Sequence, residues 1–446
     1  MTDTQWSHAM RTLAVVSTLL LLSYGGMAMG APTQTPSTAD WTVLVFMNGD
    51  NNLEQYALAD FYEMAEVGST KSVNIVVQLD RNGGYTSDYN RWTDTRRFLV
   101  KKDRAPLADA AVQALGEVNM GDPQSLENFI HWGMTTYPAN HYALIIWDHG
   151  QGYRDAVSTG FQGDRFRSAH GMPFRSVSHD DTDRDQLYNI EVQQALRAGL
   201  NGRKLDLLGF DACLMGMVET AYAVREFSDI MVGSEDLEPG DGWAYHLWLK
   251  DLVRNPRRTA DKVARAIVRS YPVPYRSHLA NSDALLTLSA IRLSELDSLA
   301  GAVSTLSNAM VKALDTEVGA IKEARQASPV FARDNPRPGD QRFHHVDLKK
   351  FATEYQRRTA NPAIQQALTA MLAHHQRAVL KTFAGAIREN EGASGLAIYF
   401  PAGRNAYVTD IFEEHGYEKD NQQYPVAFVR EQQWADFLHA YFARVP

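Results

Sequence analysis

Residues 142–150 read YALIIWDHG, an apolar run that passes without a break into Asp148-His149-Gly150. Such a run, stopped by small and polar residues, is the pattern of a strand buried on both faces, because a solvated face would require a polar residue at every second position. Residues 205–213, LDLLGFDAC, have the same form: Leu205–Phe210 is followed by Asp211-Ala212-Cys213. In open parallel sheets the reactive groups gather just beyond the carboxyl ends of the strands. If the two strands are neighbours, about 4.8 Å apart, an imidazole and a thiol can face each other there.

Outward from this pair the pattern repeats. Trp41–Met47 (WTVLVFM), Val73–Leu79 and Ile230–Gly233 read as further strands, and Leu53–Val67, Pro123–Tyr137, Ile190–Leu200 and Leu214–Glu226 as helices. Strands alternating with helices predict an α/β fold with a mostly parallel central sheet covered on both faces. Arg91–Lys101 reads as a hairpin-like or edge excursion. Beyond residue 290 helices dominate, over Leu293–Leu314, Val346–Tyr355 and Pro362–Arg388, with one late strand at Gly395–Phe400. At 446 residues the chain exceeds the roughly 250–300 at which single cores stop growing. A sheet domain over 41–290 and a mainly helical C-terminal region over 291–446, packed on it, are expected.

With 53 acidic against 44 basic residues and a net charge of -9, the chain has no block of Lys and Arg. That argues against a nucleic-acid partner. At the N-terminus a polar stretch to Arg11, an apolar run from Thr12 to Leu22 and small residues from Gly25 to Ala31 read as a signal peptide over 1–31. The apolar run falls short of the roughly 20 residues needed to span a bilayer. No comparable segment follows, so the mature chain is expected to lack a membrane span and to be periplasmic or extracellular. Residues 32–40, rich in Pro, Thr and Ser at first, read as a linker.

Cys213 is the only cysteine. At the start of the expected helix from Leu214, the macrodipole and free backbone N–H groups favour its thiolate, and a nearby imidazolium favours it further. His149 then serves as acid and base, and the N–H groups of Gly150 and Cys213 are the natural oxyanion donors. On these residues alone a small buried core cysteine and an ordinary hydrogen-bonded histidine remain the alternative. A metal site on His131, His141 and His149 matches no common zinc spacing, and none is expected there.

The segments WTVLVFMNGDNNLE (41–54), YALIIWDHGQGY (142–153), LLGFDACLMGMVETAY (207–222) and GSEDLEPGDGWAY (233–245) together resemble the clostripain family of cysteine peptidases. That family lies within the caspase-like fold group that includes gingipains, legumains and caspases. Weaker matches at TLSAIRLSEL (287–296) and GLAIYFP (395–401) extend the resemblance into the C-terminal region. It implies a caspase-like three-layer sandwich and a cysteine endopeptidase with His149, beside Gly150, as catalytic histidine and Cys213 as nucleophile.

The resemblance also implies protein or peptide substrates cut after Arg or Lys. A carboxylate about 4 Å from a guanidinium gains about 4 kcal/mol at an effective dielectric of about 20, before desolvation. Asp211 and Asp241 are the candidates, the alternative for each being a turn-capping aspartate. Family members are often matured by cleavage between the histidine and cysteine strands. The polar segment 151–186 carries Arg154, Arg165, Arg167, Arg175 and Arg184, of which Arg165 and Arg167 are the candidate self-cleavage sites.

No cofactor is required for the chemistry. Calcium, bound by some relatives, would find the acidic patch Asp180, Asp181, Asp183 and Asp185. Asn48 and Asp50 read as turn residues. A monomer is expected. The competing functions are an inert caspase-like binding domain and a cysteine transpeptidase or hydrolase of different selectivity.

Overall fold

Side chains alternate across an extended strand, so an unbroken apolar run must face two cores. Along the first run, Trp41, Val43, Val45 and Met47 enter one core, while Leu44 and Phe46 enter the other. The structure is a computed structural model and describes residues 38–84, 92–150, 176–278, 283–331, 344–413, 417–422 and 425–445. The expected signal segment 1–31, the first part of the linker, and Arg154, Arg165, Arg167 and Arg175 lie outside the described residues. Among the described residues no helix is long and apolar enough to cross a membrane.

In chain order the strands are β1 (Ala39–Gly49), β2 (Val73–Arg81), β3 (Thr95–Leu99), β4 (Gln113–Gly116), β5 (Ala139–Trp147), β6 (Ser176–Asp180) and β7 (Asp185–Tyr188). They continue with β8 (Leu205–Asp211), β9 (Ser228–Gly233), β10 (Thr287–Arg292), β11 (His345–Asp347), β12 (Val379–Ala384) and β13 (Ala397–Tyr399). Nine of them form one sheet in the order β12-β10-β9-β8-β5-β1-β2-β3-β4. The central strands, from β9 to β2, are parallel, with antiparallel strands flanking them on both sides. β6 and β7 make a separate hairpin, and β11 pairs with β13.

Helices Glu54–Val67, Tyr245–Arg254 and Ala260–Ser270 cover one face through Leu58, Phe61, Trp248, Leu249 and Ile267. The other face is covered by Pro123–Thr136, Asn189–Leu200, Leu296–Lys312 and Pro362–Ala378, through Leu126, Phe129, Leu196, Val303 and Leu368. The chain after β1 turns to one face and the helix before β5 lies on the other. A crevice therefore opens between the ends of β1 and β5, at the point where the strand order reverses.

Several expected elements differ in extent. β1 begins at Ala39, inside the expected linker, because Ala39 already pairs with Ala139. The expected edge excursion contains β3, antiparallel to β2. The expected helix Pro362–Arg388 ends at Ala378. Its last turns are instead β12, which pairs with β10, and a short helix Ala386–Glu391.

The expected helix Leu214–Glu226 shrinks to Val218–Val224. Leu214 and Gly216 donate their N–H groups to Asp236 O (3.1 Å) and Ser234 O (2.6 Å) rather than continuing a helix. Residues 38–446 form one compact unit, and the boundary expected at 290/291 falls inside β10, in the middle of the sheet's antiparallel flank.

Candidate active site

β5 and β8 are neighbours, with Trp147 opposite Asp211. The next residues stay together, since Asp148 N donates to Asp211 O at 3.3 Å. His149 and Cys213 are thus each two residues past a paired position, at the same level of the sheet's carboxyl edge. Gly150 packs directly on the backbone of Cys213. A β-carbon at Gly150 would lie 2.5 Å from Cys213 O and 3.0 Å from Cys213 N, so a larger residue would push the two loops apart. Cys213 and His149 are both fully buried.

The backbone around the thiol is tightly held. Leu214 has φ +60°, an outlier for a bulky residue, and marks a sharp turn directly after Cys213. Cys213 Sγ accepts from Glu238 N at 3.1 Å and donates to Glu238 O at 3.7 Å. The helix start that the sequence places at Cys213 is displaced to Val218, so these loop groups, not a helix terminus, surround the sulfur.

His149 is positioned by the loop after β1. Its Nε2 lies 2.7 Å from Asn52 Oδ1. With the amide oxygen accepting, Nε2 carries the hydrogen, and in the neutral ring Nδ1 carries the lone pair. Next to it, the Asp148 carboxylate accepts from Asn51 Nδ2 at 2.8 Å and from the backbone N–H groups of His179 and His149. Complete burial pushes the Asp148 carboxyl up to about 8, against the pull of these donors. Asn51 also donates to His179 O at 2.8 Å, so the turn 50–53 is stitched to the β6–β7 hairpin.

Of the two specificity candidates, Asp211 is buried, and its Oδ2 accepts from Tyr245 Oη at 2.8 Å and Trp243 N at 3.4 Å. Asp241 is exposed on the turn 239–242, which Gly242 N closes onto Pro239 O at 3.0 Å and Tyr275 Oη holds from below at 2.7 Å. That turn begins directly after Glu238, whose backbone flanks the thiol. Glu238 is buried, with Oε2 accepting from Trp243 Nε1 at 3.1 Å. Beneath lies Tyr271, whose hydroxyl is pushed well above 10 by burial and then by Glu238, Tyr275, Asp211 and Cys213.

His141 lies near the opposite end of β5, paired with Asp206 at 2.6 Å and stacked on Trp41. Asn48 closes a turn, its Oδ1 accepting from Asp50 N at 3.0 Å. Asp50 has a further place. Together with Asp80, Glu117 and Asp180 it forms a group whose carboxylate oxygens lie within 4.8 Å of one another. Full charges that far apart repel by about 3.5 kcal/mol per pair at an effective dielectric of about 20.

Burial first, and then these neighbours, pushes Asp80 well above the carboxylate range; burial and nearby acids, Asp50 among them, bring Glu117 to about 7, and Asp180, relieved in part by backbone donors, is also at about 7. The expected aspartate patch does not converge. Asp181 pairs with His179 at 2.9 Å and Asp185 accepts from Asn119 at 2.8 Å, so of the four only Asp180 joins the cluster.

Asn51, Asn52 and Glu238 were missed by sequence reasoning. The one signal was the run Asn48-Gly49-Asp50-Asn51-Asn52, which holds more amides than a turn needs.

The model of the clostripain family matches residues 45–441. The chain belongs to the clostripain family. Clostripain of Hathewaya histolytica is 30% identical over 227 residues, 46% of this chain and 40% of that protein, so the match spans less than half the length of that relative. A secreted C11 cysteine protease from Bacteroides thetaiotaomicron, solved with an irreversible peptide inhibitor, superposes with a TM-score of 0.55 at 20% identity, covering 81% of this chain and 92% of that one. An inactive zymogen C11 protease from Parabacteroides distasonis gives 0.55 and 20% over 82% and 93%. These likenesses establish for this clostripain-family chain the fold expected of it, a caspase-like sandwich with a mostly parallel central sheet between helical layers.

Proposed function

We propose that the protein is an exported cysteine endopeptidase that cleaves after Arg or Lys through Cys213 and His149. The observation that carries this reading is the register of β5 and β8, which brings the chain's single cysteine and His149 to one level of the sheet edge in a member of the clostripain family.

In the forward step His149 Nδ1 takes the thiol proton and Sγ bonds to the substrate carbonyl carbon. The carbonyl electrons move onto oxygen, towards the N–H groups of Gly150 and Cys213; one such donor is worth about 2.7–4 kcal/mol. Collapse expels the amine, which takes the proton from His149 and leaves a thioester. Water, deprotonated by His149, then releases the acid and restores the thiol. The hydrogen bond from Nε2 to Asn52 keeps the ring in the tautomer this sequence needs.

For the basic side chain at the cleaved bond, Asp241 supplies an exposed carboxylate on the turn that follows Glu238. Asp211 contributes from behind through Tyr245. Export is supported by the apolar run 12–22 and by the secreted relative. Self-cleavage at Arg165 or Arg167 is supported by the relative solved as an inactive zymogen, and by the enclosure of Cys213 between the N–H and the carbonyl of Glu238, the condition of a precursor. The protein acts as a monomer on protein or peptide substrates.

Fluorogenic peptides ending in Arg, Lys or Asp, incubated with wild type and with Cys213→Ala, test this reading. Turnover of the Arg and Lys peptides by wild type alone is expected. Equal rates for the two proteins would sink the catalytic assignment, and preferred cleavage after Asp the pocket. A Cys213→Ala sample nicked like wild type would sink self-cleavage.

A further inference from the structure

The carboxyl ends of β1 and β2 carry a second assembly of charged groups, which the proposed peptide chemistry does not use. Asp50 follows β1, Asp80 stands next to last in β2, Glu117 follows β4 and Asp180 ends β6. One carboxylate oxygen from each lies within 4.8 Å of the others, and Asp50, Asp80 and Asp180 are buried. Among the described residues no Lys or Arg forms an ion pair with any of the four. Arg81, the neighbouring cation, is committed to Glu54 at 2.7 Å.

A separate observation points to a missing ligand. Asp80 Oδ1 accepts from Arg81 N at 2.9 Å, but its Oδ2 is wholly buried and closes no hydrogen bond; Thr95 Oγ1 approaches it without reaching a well-formed one. A buried carboxylate oxygen without a donor is costly unless something positive meets it.

The other carboxylates are already held in place. Asp50 accepts from Asn82 Nδ2 and from Thr182 N (3.2 Å), and Asp180 from Met120 N (2.9 Å) and Asp183 N (2.8 Å). Outer hydrogen bonds of this kind orient ligands before the ion arrives.

We propose that Asp50, Asp80, Glu117 and Asp180 bind one divalent cation of the calcium class. The donor set is all oxygen and rich in carboxylates, which suits a hard cation. Its spacing admits an ion about 2.3–2.6 Å from each ligand, with water completing a shell of roughly 6–8 oxygens. The ion would tie the ends of β1 and β2 to the β6–β7 hairpin. Asp50 stands two residues before Asn52, so the ion would also brace the loop that orients His149. The proposal is independent of the peptidase reading, because binding is measured on a protein that lacks the thiol.

Full-length Cys213→Ala protein, stripped with EDTA, is titrated with calcium chloride by calorimetry while its melting temperature is followed. One saturable site and a rise of a few degrees at saturation are expected. Asp80→Asn and, separately, Glu117→Gln should each weaken binding about tenfold or more. Asp181→Asn, whose carboxylate is turned to His179, should leave it unchanged. Glu117 is exposed, so its replacement reports even if Asp80→Asn fails to fold. No saturable heat up to about 10 mM calcium, well above the range of weak extracellular sites, would overturn the proposal. So would an affinity that survives Glu117→Gln or depends on Asp181.

Discussion

Two pairs of strand ends share one edge of the sheet and handle charge in opposite ways. Beyond β5 and β8 the carboxylates are enclosed by donors: Asp148 by Asn51 and the N–H groups of His149 and His179, Asp211 by Tyr245 and Trp243. Beyond β1 and β2 the carboxylates face one another, and one buried oxygen has no hydrogen bond. A satisfied network can hold an imidazole and a thiol in place unaided, whereas an unsatisfied one is complete only with a ligand. The loop 50–53 belongs to both, with Asp50 in the acidic group and Asn51 and Asn52 in the satisfied one.

Breaking the satisfied end should produce the larger effects. His149→Ala should lower kcat/KM on Arg peptides about 10³–10⁴-fold with an unchanged melting temperature; a loss below tenfold would remove His149 from the chemistry. Asp148→Ala leaves several buried donors unmet and should cost about 3 kcal/mol, read from urea unfolding. A cost near zero would mean that the network does not hold the loops.

Asn52→Ala should lower kcat about 10–100-fold with little change in KM, while Asn52→Asp, which keeps an acceptor, recovers part of the loss. A change confined to KM would count against orientation. Asp241→Asn should reduce kcat/KM for Arg peptides about tenfold and leave stability unaltered, because its carboxylate is exposed.

The smallest effect lies away from the sheet edge. Glu219, fully buried, is pushed up to about 7 by burial although its Oε1 accepts from Tyr399 N at 3.0 Å and Tyr417 Oη at 2.8 Å. Its folded value exceeds the unfolded one, so its contribution is complete below about 4.5 and is lost as pH rises towards about 7. Glu219→Gln should flatten the stability profile across that interval. A profile as steep as that of wild type would assign the slope to other groups.

The strand ends that matter most were legible because burial on both faces leaves a mark in YALIIW and LDLLGF, and because His149 and Cys213 come directly after. What lay beyond reading was pairing at a distance. The helix after Cys213 shortens because Leu214 and Gly216 find acceptors at 236 and 234, which no local periodicity records. β12 hid inside a helical pattern because VLKTFA becomes a strand only against β10. Asp50, Asp80, Glu117 and Asp180 are about 30–130 positions apart, and each alone is an ordinary turn or strand-end carboxylate. Asn52 differs from any turn amide only through the ring it meets.

The order of the sheet has a mechanical consequence. β1, β2 and β5 precede residues 151–175 and β8, β9, β10 and β12 come after them, yet β5 and β8 lie side by side, joined by a continuous ladder and by both cores. A single scission anywhere in 151–175 therefore creates two polypeptides but no separable halves. They should elute together as one particle in size exclusion and part only in denaturant, which makes the nick a rearrangement of the chain's ends rather than a disassembly.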